Sequence, residues 1–335
     1  MKARGGAEGQ LTAASGDARA SKAQLIAAFA ATWLIWGSTY LGIRFAIETM
    51  PPFLMAGSRF LIAGGIILVW ARWRTGERTS PAQWRSAAII GTLLLMGGNG
   101  AVTWAEQRVP SGVAALMVAI TPCLIVLLDW LRPRGTRPTG QTVAGLVLGL
   151  AGVALLIGPD SLLGGGRIDP LGAAVLFAGS LSWSSGSIYA RHAPAPRAPL
   201  LFTGMQMLCG GTVLTLAGLL AGEAGRVDLA GISLKSFLSF AYLIVFGAIV
   251  GYTAYIWLMR VTTPARATTY AYVNPVVAVL LGWMFAGESL TGRMLVAAAV
   301  IIAGVALISG VSQAQARRDR PPSTGPHSRA QRVHP

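Results

Sequence analysis

Two stretches of this chain resemble one another, and they lie in its two halves. Residues 104–130 and 257–283 align without a gap, so that the tryptophans at both ends, an alanine and a proline coincide. Further on, residues 151–155 and residues 303–307 both read Ala-Gly-Val-Ala-Leu. Internal similarity at this separation indicates that one structural unit occurs twice.

The chain is too apolar to fold as a globule in water. Of its 335 residues, 53 % are hydrophobic and 12 % are charged, whereas soluble domains carry about 25 % charged residues. A helix needs roughly 20 apolar residues to cross a bilayer. Runs of about that length lie at 24–43, 52–71, 84–104, 111–130, 140–158, 170–190, 199–221, 234–257, 265–286 and 292–310. The sequence therefore predicts an all-α integral membrane protein with ten transmembrane helices.

The basic residues indicate how these spans are oriented. If the N-terminus lies in the cytoplasm, 20 of the 27 Lys and Arg fall in cytoplasmic segments, as the positive-inside rule requires. We therefore expect both termini to be cytoplasmic. The duplicated units, 24–158 and 170–310, hold five spans each, and an odd number inverts the second unit. This predicts a 5+5 inverted-topology repeat, an arrangement typical of secondary transporters.

Composition also excludes several classes of protein. The net charge of +15 is spread over connections and termini, without a nucleic-acid-binding motif or basic face, so no nucleic-acid partner is expected. Cys123 and Cys209 lie in apolar runs and the histidines lie in loops or the tail, so neither a metal nor a cofactor is predicted. Residues 1–23 and 311–335 are predicted to be disordered cytoplasmic tails, and the first lacks the apolar core of a signal peptide.

Several motifs resemble the drug/metabolite transporter superfamily, EamA type. They are residues 33–40 in the first span (WLIWGSTY), residues 109–116 in the fourth (VPSGVAAL) and residues 274–283 in the ninth (NPVVAVLLGW), followed by Gly287-Glu288. The resemblance covers about 24–310 and implies a ten-helix carrier that exports small metabolites, amino acids or toxic compounds. The first half has Arg134-Gly135 where the second has Gly287-Glu288, so a paired role for Glu288 is not expected.

Aromatic residues of the first span form one candidate site. Trp33, Trp36 and Tyr40 follow the spacing i, i+3, i+4 and so share one helix face. They are interpreted either as the wall of a substrate pocket or as interfacial and packing residues. Trp183 occupies a related place in the sixth span, where neighbouring serines also suit close helix packing.

Three polar residues inside spans each allow two interpretations of their role. Arg59 either binds an anionic group of the substrate or extends to the outer interface, because a buried arginine costs at least about 2.5–3.5 kcal/mol. Asn99 sits among glycines in the third span and Gln206 lies in the seventh. Either amide hydrogen-bonds the substrate or bonds a neighbouring helix.

The second half holds a richer aromatic and polar patch than the first. Its candidate substrate-binding residues are Tyr252, Tyr255, Tyr270 and Asn274. Pro122 and Pro275 are expected to bend the fourth and ninth helices and to free carbonyls that line a cavity.

Acidic residues are placed at the ends of spans. None lies in the middle of a span, so the sequence does not support proton coupling, and Glu106 is the best of the weak candidates. The glycines at 145, 149 and 152 share one side of the fifth span, which predicts close contact with another helix.

We expect a secondary transporter of the cytoplasmic membrane that moves a small metabolite, amino acid or drug-like compound, outward by preference. Transport would proceed by alternating access at a midplane site between the two units. The alternative is a membrane-embedded enzyme or lipid-handling protein, although the spans lack the convergent catalytic groups an enzyme needs. The expected partners are a small-molecule substrate and the lipid bilayer, and a homodimer is left open.

Overall fold

The computed structural model describes residues 21–133, 137–158, 168–262 and 269–318, with side chains through residue 308. The helices in these ranges are α1 (Lys22–Ala46), α2 (Pro52–Thr75), α3 (Pro81–Ala105), α4 (Ser111–Leu131), α5 (Gly140–Ile157), α6 (Pro170–Ala190), α7 (Pro199–Leu220), α8 (Leu234–Val261), α9 (Tyr270–Ala286) and α10 (Gly292–Arg318). Helices α1 to α8 are long and apolar enough to cross a membrane, whereas α9 and the apolar part of α10 are shorter. The described chain is thus all-helical and is a multi-pass membrane protein.

Each predicted span corresponds to one of these helices, but several helices extend further. Helix α2 continues to Thr75 and α8 to Val261, because arginines at a helix end can reach the headgroups without ending the helix. Helix α10 runs to Arg318, past residue 311, where the sequence predicted a disordered tail. Alanine, glutamine and arginine in this segment are good helix formers. The predicted start of the ninth span at 265, residues 1–20 and residues 319–335 lie outside the described ranges.

Proline and capping residues begin most of the helices. Pro52, Pro81, Pro170 and Pro199 each occupy the first helical position, where a missing N–H costs nothing and the fixed φ favours the helix. Ser80 adds a capping box with the residue three positions later. These local signals explain why the helix starts agree closely with the sequence-based spans.

Three helices contain π-helical turns, and α4 is interrupted. The wider turns occur at Ala31–Ile35 in α1, Thr92–Gly100 in α3 and Leu243–Val250 in α8. Helix α4 breaks between Val118 and Thr121, immediately before Pro122. Helix α9 is continuous through Pro275. Such interruptions expose backbone carbonyls in the bundle interior, where a site can use them.

The packing partners of the helices follow a simple pattern. Three pairs of helices pack together: α2 with α7, α4 with α9, and α5 with α10. Helix α1 packs on α8 and α9, and helix α6 packs on α3 and α4. Helix α7 also contacts α3, and α2 contacts α8. Each of these contacts has a counterpart between the equivalent helices of the other unit, so that the contact of α1 with α8, for example, corresponds to the contact of α6 with α3. The two units therefore interlock and do not form separate bundles.

Glycines let α2 and α7 cross closely. A Cβ on Gly64 would lie 2.7 Å from Met207 Cβ and 3.1 Å from the carbonyl oxygen of Gly204. One on Gly57 would lie 3.1 Å from the carbonyl oxygen of Gly211. As the chain advances along α2, its contact moves backward along α7. The two helices are therefore antiparallel.

Helices α5 and α10 cross in the same way. Gly145 faces the carbonyl oxygen of Gly304, 2.7 Å from where its Cβ would be, and Gly152 faces Ile301 and the carbonyl of Ala297. The prediction that the glycine face of α5 contacts another helix is confirmed. This contact is also antiparallel and pairs the fifth helix of one unit with the fifth of the other.

Two carboxylates tie α2 and α7 together reciprocally. Glu77, which follows α2, accepts hydrogen bonds from the N–H groups of Arg197 and Ala198 before α7, at 2.8 and 3.0 Å. Glu223, which follows α7, accepts from the N–H groups at the start of α2, at 3.2 and 2.9 Å. Each carboxylate thereby caps the N-terminus of the partner helix, which its negative charge stabilises.

Candidate functional site

Four aromatic rings from both units meet inside the bundle. The Trp36 ring of α1 lies 5.3 Å from Tyr252, 5.3 Å from Tyr255 and 4.9 Å from Tyr270, measured between ring centroids. Tyr255 and Tyr270 are 5.7 Å apart and perpendicular. We call these four residues the aromatic cluster. All of them remain partly exposed, so their ring faces can contact another molecule.

Hydrogen bonds fix the position of Trp36 in this cluster. Its indole N–H donates to the carbonyl of Gly247 at 3.1 Å, in the π-helical part of α8. Beside this bond, a Cβ on Gly251 would lie 2.9 Å from the indole Cδ1 atom. Glycine at 251 therefore makes room for the indole between α1 and α8.

A second tryptophan is placed equivalently in the other unit. Trp183 of α6 packs on Gly98 of α3, where an added Cβ would lie 2.7 Å from the ring. Gly98 and Gly251 coincide in the ungapped alignment of the two halves. Each unit thus sets a tryptophan of its first helix against a glycine in the third helix of the other. Trp183 lacks the surrounding tyrosines that Trp36 has among the described ring contacts.

Trp33 and Asn274 join α1 to α9 one turn further along. The Trp33 indole donates to the Thr269 hydroxyl at 3.2 Å. With its amide oriented to satisfy both partners, Asn274 donates to the carbonyls of Trp33 and Tyr270 at 3.1 Å. The Asn274 side chain is buried and used by these bonds, so the structure gives it a role in holding the aromatic cluster together.

Arg59 is buried in the bundle, with 4 % of its surface exposed. One terminal nitrogen donates to the Asn99 side-chain oxygen at 3.3 Å, and the guanidinium lies 4.2 Å from the Phe60 ring centroid. Its charge interacts with Tyr252 of the aromatic cluster and with Glu106. The side chain therefore does not extend to the outer interface, and Asn99 bonds a neighbouring helix.

Tyr40 and Gln206 lie at the margins of this arrangement. Tyr40 is partly buried against the core that α3 to α6 form with α9 and α10, and it interacts electrostatically with Glu106. The backbone of Gln206 lies against Gly91 where α7 crosses α3. Among the described hydrogen bonds and ring contacts, none joins Gln206 to the aromatic cluster.

Glu288 connects the two units at the predicted outer end. Its carboxylate accepts from the Ser111 N–H at 2.6 Å, the Ser111 hydroxyl at 2.8 Å and the Gly112 N–H at 3.0 Å. We call this contact the Glu288 clasp. The sequence predicted no paired role for Glu288, because the first unit has no matching acid. Its actual partner is the N-terminus of α4, which no local pattern reveals.

Further contacts between the units surround the clasp. The Ser236 hydroxyl of α8 donates to the carbonyl of Phe45 at 2.7 Å, and Lys235 forms an ion pair with Glu48. Within the first unit, Arg44 donates to the carbonyl of Glu106 at 2.6 Å. These contacts join helix ends at the predicted outer end of the described bundle.

An ion pair at the N-terminus of α6 is more exposed. Asp169 accepts from the Gly172 N–H at 2.7 Å, and Arg108 lies 3.3 Å away. The Gly172 bond, with the Arg108 charge, holds the pKa of the Asp169 carboxyl below its ordinary value. At the opposite end of the bundle, Asp129 of α4 pairs with Arg132 and Arg191.

Comparison with known proteins agrees with this architecture. The model of the EamA-like transporter family matches residues 23–158 and, a second time, residues 170–310. The chain belongs to the EamA-like transporter family. The resemblance seen in the motifs is thereby confirmed, and with it the assignment to a family of membrane transporters.

Individual relatives cover nearly the same part of the chain. "Uncharacterized inner membrane transporter YedA" of Escherichia coli K12 is 42 % identical over 288 residues, 85 % of this chain and 90 % of the relative. "Protein PecM" of Dickeya dadantii is 27 % identical over 286 residues, 83 % and 90 %. "Probable amino-acid metabolite efflux pump" of E. coli K12 is 25 % identical over 287 residues, 81 % and 90 %.

A protein of known crystal structure shares the fold. It is 22 % identical to this chain, with a TM-score of 0.58 over 87 % of this chain and 98 % of the other. This similarity concerns the fold alone.

Proposed function

We propose that this chain is a secondary transporter that exports a small metabolite, amino acid or drug-like compound by alternating access. The observation that carries the proposal is the aromatic cluster, because Trp36 comes from the first unit and its three tyrosines from the second. A site built by both units changes its access when the units move against each other.

The architecture behind this proposal is a 5+5 inverted repeat of ten transmembrane helices. The antiparallel crossings of α2 with α7 and of α5 with α10 support it. Two equivalent helices related by an axis along the membrane normal would run parallel. Equivalent helices that cross antiparallel are instead related by an axis in the membrane plane, which is the inverted arrangement.

The predicted substrate-binding residues divide into three groups under this proposal. Trp36, Tyr252, Tyr255 and Tyr270 would contact the substrate, with Arg59 supplying a buried positive charge beside Tyr252. Trp33, Asn99 and Asn274 would position them through the hydrogen bonds described above. Tyr40, Trp183 and Gln206 form the third group and remain predictions. The bends at Pro122 and Pro275 are proposed to open the same interior to substrate.

The relatives and the charge pattern support a membrane location for the protein and a direction for its transport. YedA is named as an inner membrane transporter and a more distant relative as an efflux pump, which supports export across the cytoplasmic membrane. The distribution of basic residues supports cytoplasmic termini. A homodimer stays a prediction. Membership of a transporter family favours transport over the alternative of a membrane enzyme or lipid-handling protein.

Flux in proteoliposomes tests the proposal. Purified protein would be reconstituted with a panel of amino acids, aromatic acids, quaternary ammonium compounds and sugars, with and without an imposed pH gradient. Saturable flux of one class is the expected result. Absence of saturable flux for every compound, with protein shown to be folded, would contradict the export of these classes.

A further inference from the structure

Glu106 is a buried acid without a recorded partner. It follows directly after α3, and its side chain is 0 % exposed. Neither carboxylate oxygen has a hydrogen-bond partner among the described residues. An ionised carboxylate in such a place costs several kcal/mol, on the order of the penalty for other buried unpaired charges. The neutral, protonated form avoids most of this cost.

The charged groups around Glu106 do not provide the missing partner. The charges that act on it are Arg44 of α1, Arg59 of α2 and Glu288 after α9, and the neutral Tyr40 of α1 is also within electrostatic range. Arg44 bonds the backbone carbonyl of Glu106 and Arg59 bonds Asn99. The ion pair between Arg108 and Asp169 lies beyond them, on the exposed side of the connection.

Glu106 and Glu288 are in opposite environments although they interact electrostatically. The Glu288 carboxylate accepts three hydrogen bonds at the N-terminus of α4. Glu106 follows the C-terminus of α3, where the helix dipole disfavours a negative charge. Of these two neighbouring carboxyls, Glu106 is the one whose buried oxygens have no donor among the described residues, so a proton on Glu106 relieves the cost of burying its charge.

We propose that Glu106 binds a proton when the outer end is closed, and that loss of this proton opens the outer end. The reaction is simple dissociation of the Glu106 carboxyl into a carboxylate and a proton. Closing around an ionised Glu106 would bury two neighbouring negative charges beside the Glu288 clasp. Opening gives the carboxylate access to water and separates it from Glu288. Since this deepens the export proposed above, the proton becomes the coupling ion of the carrier.

Arg59 provides the connection to the substrate site. Its guanidinium lies within electrostatic range of both Glu106 and Tyr252. Neutralising Glu106 removes a negative charge near Arg59 and so changes the electrostatic field at the aromatic cluster. Proton binding at Glu106 and substrate binding at the cluster are therefore coupled, and each changes the affinity for the other by the same factor.

Infrared spectroscopy of the purified protein tests the proton site without any substrate. The carbonyl stretch of a buried protonated carboxyl should be present in the wild type and absent from Glu106→Gln. The exposed control Asp228→Asn should keep it. A band that persists in Glu106→Gln would overturn the proposal. If that variant does not fold, Glu106→Asp keeps the carboxyl and should shift the band; an unchanged band would again overturn it.

Labelling of a cysteine at the outer end tests the conformational part. Ala114 of α4 is 0 % exposed and lies just inside the clasp. Ala114→Cys, with Cys123 and Cys209 replaced by alanine, would be treated with a membrane-impermeant maleimide in right-side-out vesicles. The same reporter in the Glu106→Gln background corrects for ionisation of the thiol. The labelling rate with Glu106 intact, divided by the rate in the Glu106→Gln background, should rise about tenfold per pH unit until Glu106 is ionised.

A ratio that does not change with pH would overturn the proposal. Both experiments work without a transported compound. A negative result in them therefore contradicts the proton site alone, whereas absence of flux contradicts the proposed export. Where wild type transports a compound of the panel, Glu106→Gln should also lose the effect of the pH gradient on net flux. Unchanged dependence on the gradient would show that Glu106 is not the coupling site.

Discussion

At the scale of single residues, Trp36 links the two units through one side chain. Its N–H bonds the backbone of α8 and its ring touches tyrosines of α8 and α9. From the sequence, the shared face of Trp33, Trp36 and Tyr40 predicted either a pocket wall or packing. The outcome is divided, because Trp36 joins the aromatic cluster, Trp33 supports it and Tyr40 packs against the core.

Arg59 shows what sequence reasoning can and cannot supply at this scale. Its position within an apolar run predicted a costly buried charge, and it is buried. Its partner Asn99 is 40 residues away on another helix, a distance at which helical periodicity carries no information. The same limit applies to Glu288, whose partners lie 176 and 177 residues away.

We predict that Arg59→Ala lowers transport about ten- to a hundredfold, since a hydrogen bond to a charged group contributes about 1.5–3 kcal/mol. Membrane insertion should stay intact. The measurement is the initial rate of flux in proteoliposomes at matched protein content, with Arg74→Ala, an exposed residue at the end of α2, as the control. Transport at the wild-type rate in Arg59→Ala would remove the guanidinium from the proposed site.

At the scale of helices, the close crossings are the most predictable contacts. The glycines at 145, 149 and 152 share one side of α5 and indicated close packing there. The contact with α10 is present. The choice of partner helix was not predictable, because small residues fit against any neighbour. The π-helical turns of α1, α3 and α8 were not predicted either. Their sequences are apolar, and only those in α3 and α8 contain glycine, so no pattern distinguishes them from ordinary helix.

Two adjacent glycines in α2 provide a matched test of the crossing with α7. Gly64 faces Met207 and Gly204, whereas a Cβ on Gly65 would meet nothing within 4 Å. We predict that Gly64→Ala destabilises the protein by about 1–3 kcal/mol through overpacking. Gly65→Ala should leave stability unchanged or raise it by up to about 1 kcal/mol. Thermal unfolding of both variants in detergent measures the difference, and equal stabilities would contradict the crossing.

At the scale of the whole molecule, the two units are interlocked by equivalent contacts. The reciprocal caps made by Glu77 and Glu223, and the tryptophan–glycine pairs at Gly98 and Gly251, occur once in each direction. The repeat in the sequence predicted such a relation. The Glu288 clasp has no counterpart in the described residues of the first unit.

The inverted arrangement predicts that equivalent connections lie on opposite sides of the membrane. Arg78 follows α2 and Asp228 follows α7, and both are exposed. In single-cysteine variants, we expect Asp228→Cys to react with an impermeant maleimide in intact cells and Arg78→Cys to react only after lysis. The two native cysteines would be replaced in both variants. Reaction of both positions from the same side would contradict the inversion.

The central claim is that substrate passes through the aromatic cluster between the units. The most direct measurement compares saturable flux in proteoliposomes of wild type, Trp36→Ala, Tyr255→Ala and the control Trp70→Ala, whose ring lies on the exposed side of α2. We predict that the first two variants insert normally and lose flux, while Trp70→Ala transports like the wild type. Wild-type flux in both Trp36→Ala and Tyr255→Ala would show that the route lies elsewhere.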